Sequence, residues 1–124
     1  MIISSYIKEN TTMEATIKMF KALSDETRLR IYLLLLQGGL CVCELEAILK
    51  IEQSRISHAL RILKEAGLIS NYKTGKWNIY SANRKLKNNK IIQSLEDELK
   101  LFDQDLNNFK KCRKENIRKK LKGS

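Results

Sequence analysis

Between residues 44 and 81 the hydrophobic period switches from helical to extended, and no other feature constrains the fold of this 124-residue chain as tightly. Residues 44–50 place Leu45, Ile48 and Leu49 on one helical face. A brief turn over 51–53 leads into a second helical pattern, about 54–65, with the apolar stripe Ile56, Ala59, Leu60 and Leu63. Gly67 ends it. Two strand-like runs follow, 68–73 and 76–81, joined around Thr74 and Gly75. In the second run Trp77, Ile79 and Ser81 alternate with Asn78 and Tyr80, the two-residue period of a pleated strand. Two short helices in tight succession and then a hairpin predict a mainly α fold with one small β-hairpin.

The flanks supply the support. Met13, Ile17 and Phe20 keep helical spacing over 13–23, and Thr12 can cap that helix. The next helix starts after Ser24 or Asp25, either of which can accept from orphan amides. It is apolar nearly all round from Ile31 to Leu36, as a central buried helix is. Gly38 and Gly39 stop it, and 40–42 reads as a short strand. From about Asn88 a long helix carries Ile92, Leu95, Leu99, Phe102, Leu106 and Phe109 at steps of three and four. Such a seam predicts a helix paired with its counterpart in a dimer, with packing inside one subunit as the alternative. The chain thus divides into an N-terminal arm (1–12), a central domain (13–87) and a C-terminal helix with a basic tail (88–124).

Composition narrows the partners. No apolar run approaches the roughly 20 residues that span a bilayer, and the N-terminus lacks the pattern of an export signal. Three cysteines, an odd number, then read as free thiols in a reducing cytosol rather than a disulfide framework. The net charge of +10 suggests a polyanion, yet +7 of it sits in residues 110–122. The basic tail can touch nucleic acid or simply keep the chain soluble, so the reading surface must be sought in the middle. Enzyme chemistry lacks support: there is no C-x-x-C, no phosphate-binding glycine loop and no histidine placed as a base.

Opposite the apolar stripe of the 54–65 helix lies a polar face. Its early residues are Gln53, Ser54, Arg55, Ser57 and His58, with Arg61 one turn on. A solvated amphipathic face would look the same in isolation. The preceding helix and tight turn, the hairpin, and Lys73 and Lys76 flanking its tip together make a winged helix-turn-helix whose second helix enters the major groove of double-stranded DNA. The residue types suit that role, since arginine chelates guanine, glutamine chelates adenine, and serine hydroxyls and the helix N-terminus suit phosphate. His58, the one histidine, reads as a DNA contact or as an idle surface residue.

The sequence from Lys21 through Ala22-Leu23-Ser24-Asp25-Glu26-Thr27-Arg28-Leu29-Arg30 to Ile31 resembles the opening signature of the ArsR/SmtB family of bacterial metal-sensing repressors. Gln53-Ser54-Arg55-Ile56-Ser57-His58-Ala59-Leu60, with residues 63–69, resembles that family's recognition helix, and Lys73-Thr74-Gly75-Lys76-Trp77 its wing. The resemblance covers residues 15–82. It implies a homodimer that dimerises through terminal helices, sits on a palindromic operator and loses DNA affinity when ligand binds. One departure is Glu52, where the family often carries a serine-like cap.

Leu40-Cys41-Val42-Cys43-Glu44-Leu45 resembles the metal-binding box of the family's arsenic-responsive branch. Soft trivalent arsenic or antimony prefers thiolate sulfur, and Bi(III), Cd(II) and Pb(II) are further thiophilic candidates. A helix N-terminus beside the pair is expected to lower thiol pKa. Residues two apart in a helix point about 200° away from each other, so gripping one ion is expected to unwind the first turn or hold it extended. The familiar box has a third cysteine where this chain has Glu46. The other candidate is Cys112, among Lys111, Arg113 and Lys114, read either as the third ligand, in one subunit or across the dimer, or as an unrelated surface thiol. Two other functions stay open: a redox or persulfide switch joining Cys112 to Cys41 or Cys43, and a constitutive architectural DNA binder driven by the tail.

Overall fold

The computed structural model describes residues 13–86, 89–97, 103–116 and 118. Thr12, Leu99, Phe102 and the basic tail from 119 onward lie outside them. Helix α1 (Met13–Leu23) is followed by α2 (Glu26–Gln37), with Asp25 as its cap, accepting from the Arg28 amide at 3.1 Å. Ile31 to Leu35 are all buried, so α2 is the central post. Helix α3 (Val42–Leu49) and helix α4 (Gln53–Glu65) form the tight pair. Strands β1 (Ile69–Thr74) and β2 (Trp77–Ala82) pair antiparallel, from Ile69 opposite Ala82 to Thr74 opposite Trp77. Helices α5 (Lys90–Asp97) and α6 (Asp103–Glu115) complete the described chain.

One core joins these elements. Leu45 and Ile48 of α3, the α4 stripe Ile56, Ala59, Leu60 and Leu63, and Leu68 and Ile69 of the wing's root share one buried cluster with Ile31, Tyr32, Leu34 and Leu35 of α2. The chain crosses from α2 to α3 under the hairpin. Leu40 pairs with Tyr80 through two backbone bonds of 2.9 Å, a single bridge where a short strand over 40–42 was expected. Gly39 permits this approach: a Cβ there would sit 2.7 Å from Ile79 Cγ2.

Several boundaries differ from the sequence reading. Helix α3 starts at Val42 rather than at residue 44, because Cys41 and Glu44 form a cap on its first turn. Its end comes at Lys50, which adopts the left-handed conformation (φ 57°). The hairpin turn is Gly75-Lys76, one residue later than expected, with Gly75 at φ +61° where a side chain is disfavoured. Lys76 therefore sits in the turn, its ammonium 5.0 Å from the centre of the Trp77 ring.

Ile92 is buried, and Leu95 and Phe109 pack against the core of this same chain beside the buried Cys112, so these three seam residues face inward. A period of 3.5 marks an apolar face on a helix but not the partner that covers it. Among the described residues an uncovered apolar stripe lies on α1: Met13, Ile17 and Phe20 are 76%, 45% and 53% exposed, and Ile91 of α5 is 55% exposed. Among the described residues no helix is long and apolar enough to cross a membrane.

Candidate functional site: nucleic-acid interface and thiol pair

Helix α4 separates its two faces cleanly. With the four stripe residues buried, Gln53, Ser54, Arg55, Ser57, His58, Arg61 and Lys64 are all exposed. Glu52 precedes the helix with an extended backbone and makes no side-chain cap bond, so the Gln53 and Ser54 amides keep their donors available, while the Arg55 amide donates to the Glu52 carbonyl at 3.1 Å. Two of the basic side chains are oriented. Arg55 reaches Thr27 Oγ1 of α2 at 3.4 Å, and Arg61 meets His58 Nδ1 at 2.8 Å and Glu65 at 3.4 Å. A groove of about 260 Å³ opens between the starts of α2 and α4, lined by Thr27, Arg28, Ser54, Arg55 and His58. The wing adds Lys73, exposed on β1, and Lys76 at the turn. On the Lys73 face of the hairpin the Asn71 amide donates to Asn78 (2.9 Å), and the Asn78 amide to the Tyr80 hydroxyl (3.2 Å), which stiffens the ribbon.

The thiol pair sits at the opposite end of the two-helix unit, on the first turn of α3. Cys41 is the residue before the helix, with an extended backbone (φ −91°, ψ 169°). Its side chain therefore swings over the first turn, as a capping side chain does. Cys43 lies in that turn, and the two sulfurs are 2.7 Å apart. The expectation that the pair points apart is thus overturned: the 200° argument holds for two helical residues, and only one of these is helical. No unwinding is needed to bring the sulfurs together.

Glu44 is the feature sequence reasoning missed. It is 2% exposed. Its Oε1 accepts from the Cys41 amide at 3.0 Å, while Oε2 pairs with Arg118 Nε at 3.2 Å and faces the Cys112 thiol at 4.0 Å. An available signal was the C-x-x-E spacing, a capping box with cysteine in place of serine or threonine. Cys112 is accordingly not a surface thiol. It is buried on the inward face of α6, across Glu44 from the pair. Among the described residues no three histidine, cysteine, aspartate or glutamate side chains already form a group that could hold a metal ion.

Burial also reverses the expected acidity. The Cys41 thiol is pushed up to about 12, first by desolvation and then by the hydrogen bond with Cys43, against the lowering contact with the Glu44 amide. Cys112 rises to about 11 through desolvation and the Glu44 charge, which outweigh Arg113 and Arg118. The helix N-terminus and the flanking cations act in the anticipated direction but lose to desolvation.

Helix α6 is fastened along α2 and α3. Arg30 of α2 grips Asp105 through two 2.7 Å bonds, with Asp105 almost fully buried. The Asn108 amide donates to the Ile48 carbonyl (3.0 Å), and Arg113 donates to the Gly39 carbonyl.

Comparison with known proteins agrees with this architecture. Residues 25–71 match the model of the bacterial regulatory protein, arsR family. Over 68 residues the chain is 47% identical to an HTH-type transcriptional regulator of Methanocaldococcus jannaschii, covering 54% of this chain and 76% of that protein. Over 62 residues it is 52% identical to the arsenical resistance operon repressor of Escherichia coli, covering 49% of this chain and 53% of the repressor, so it spans about half of that relative's length. Among solved structures, the homodimeric winged helix-turn-helix DNA-binding domain Mb0332 of Mycobacterium bovis superposes with a TM-score of 0.60 at 25% identity, over 69% of this chain and 82% of that one. A winged helix-turn-helix with an exposed second helix, matched by the family model and by a relative covered over three quarters of its length, places this chain in the ArsR family of DNA-binding transcriptional regulators, a family of regulators and not of enzymes.

Proposed function

We propose that this protein is a repressor that binds a palindromic operator as a homodimer and is released when trivalent arsenic or antimony is captured by Cys41 and Cys43, with Cys112 as the third sulfur. The observation that carries the reading is the 2.7 Å approach of two free thiols on the first turn of α3, the helix that supports the exposed α4. Two sulfurs brought to the same side of the helix start offer a soft ion two of its ligands. The capture is a condensation: one arsenous acid, As(OH)3, and three thiols give As(SR)3 and three waters, with no net proton released. Cys112 stands across Glu44, so completing the site requires α6 and the start of α3 to move relative to each other.

The DNA side follows from the same frame. Gln53, Arg55 and Arg61 are suited to base edges, and Ser54, Ser57, His58, Lys73 and Lys76 to phosphates or the minor groove. The exposed Met13, Ile17 and Phe20 stripe with Ile91 suits a second copy of the chain, which would present two α4 helices about one helical turn of DNA apart. A second reading draws on the same sulfur contact. An oxidant such as a peroxide or polysulfide would take two electrons from the Cys41–Cys43 pair, whose thiols lose two protons and join as a disulfide within the pair rather than through Cys112.

The test is a gel shift on a duplex selected by the protein from a random pool, with arsenite, antimonite, bismuth, cadmium and lead in turn, on wild type and Cys112→Ser. The reading expects release by arsenite and antimonite in reducing buffer, weakened in the variant. Release only by peroxide or polysulfide favours the disulfide reading, and indifference to every agent favours a constitutive binder.

A further inference from the structure

We infer that Asn108 is the positioning residue that transmits thiol ligation to the DNA-reading helix. The inference rests on the proposed three-sulfur capture and adds its route. Helices α3 and α6 run in opposite directions with one turn in register. Asn108 faces Ile48, and Cys112, four residues on, faces Glu44, four residues back. Four residues are close to one turn on both helices, about 6 Å of axial rise. Helix α6 therefore touches both ends of α3: the thiol end through Cys112, and the far end through Asn108.

The far end is the one that aims α4. The last carbonyls of a helix have no partner within it. Lys50 N takes the Glu46 carbonyl at 2.8 Å, and the Asn108 amide takes that of Ile48 at 3.0 Å. Immediately beyond are the left-handed Lys50, Ile51 and Glu52, and then the first turn of α4. Gln104 donates to Asn108 Oδ1 at 3.0 Å, which fixes the amide so that its nitrogen faces Ile48. The pair of Arg30 with the buried Asp105 holds the start of α6 to the central post. With that point anchored, drawing Cys112 towards the sulfur pair displaces the α6 segment beyond it relative to α3. A hydrogen bond of 3.0 Å is lost once its atoms separate past about 3.5 Å. Ligation thus releases the cap on α3 and frees the turn that sets the pitch of α4.

The experiment measures the duplex Kd of the full chain by fluorescence anisotropy, with and without saturating sodium arsenite, for wild type, Asn108→Ala, Asn108→Asp and Asn108→Gln. The duplex is one selected by the protein from a random pool. Alanine and aspartate lack the donor. They are expected to weaken arsenite-free binding by about tenfold, the scale of one lost hydrogen bond, and to shrink the arsenite-induced change in Kd by the same factor. Arsenite affinity of the free protein stays unreduced, and glutamine, which keeps an amide donor, recovers part of the response. A merely structural role would lower stability without moving the ratio of the two Kd values. Ratios for both donor-free variants within twofold of wild type overturn the inference, and the near-isosteric aspartate covers an alanine protein that fails to fold. Cys112→Ser separates the two levels. A serine protein that keeps the full ratio overturns the three-sulfur reading and this inference with it. Loss of the ratio in Cys112→Ser together with wild-type behaviour in Asn108→Ala and Asn108→Asp overturns the route alone.

Discussion

The raised thiol pKa values predict that cadmium and arsenite affinities respond differently to pH. Cys41 at about 12 is ionised in only about one molecule in 10⁵ at pH 7, and Cys112 at about 11 in about one in 10⁴. Both are therefore protonated throughout pH 6–8. A divalent cation that binds them as thiolates must expel one proton per sulfur, and its Kd falls by about tenfold per pH unit for each. From pH 6 to 8 the cadmium Kd is expected to fall by at least about 100-fold through Cys41, and by at least about 10⁴-fold when Cys112 also ligates. Arsenous acid brings its own hydroxides, which leave as water with the thiol protons, so its Kd is expected to vary by less than about threefold over the same range. Ultraviolet sulfur-to-metal absorption, titrated at three pH values under reducing conditions, reads both. A cadmium Kd that changes by less than tenfold from pH 6 to 8 would refute the reasoning. It would mean that Cys41 is already a thiolate and that the helix N-terminus outweighs burial.

Three further predictions test the frame. Asp105→Asn removes one partner of the bidentate pair with Arg30, a nearly buried carboxylate against a partly exposed guanidinium, and should cost about 2–3 kcal/mol in urea unfolding; a loss under about 0.5 kcal/mol would show that the pair does not fasten α6. Phe20→Ser on the exposed α1 stripe should shift sedimentation from dimer towards monomer with the fold intact by circular dichroism, whereas an unchanged dimer would place the interface elsewhere. Arg55→Ala or Arg61→Ala should weaken binding to the selected duplex by about tenfold or more, one of them with relaxed base preference; if neither matters at any salt concentration, α4 does not read DNA.

The periodic elements were legible and the polar couplings were not. Ile56, Ala59, Leu60 and Leu63 repeat at helical spacing, so both faces of α4 could be assigned from sequence, and its exposed residues are those expected. The hairpin came from alternation and was misplaced by one residue, because Gly75 rather than Thr74 opens the turn. The cysteines could be found by type and spacing, but their geometry depended on where α3 begins. A start two residues early turned Cys41 into a cap and brought the sulfurs together. Glu44, Asp105 and Asn108 would each pass for solvated residues. The partners of Asp105 and Asn108 lie 75 and 60 residues away, beyond any local pattern. The heptad seam identified an apolar face of the C-terminal helices, while the choice between this chain's core and a second copy required the tertiary structure.

The most direct measurement is the lifetime of a preformed complex. Protein is bound to a labelled selected duplex, mixed rapidly with excess arsenite and unlabelled competitor, and followed by anisotropy, for wild type and for Cys41→Ser/Cys43→Ser. Serine is a better cap than cysteine, so the variant should fold and bind DNA as well as wild type. The account predicts at least about tenfold faster dissociation with arsenite in wild type, within the usual range of allosteric coupling, and no change in the variant. Equal lifetimes with and without arsenite in wild type, or equal acceleration in the variant, would contradict it.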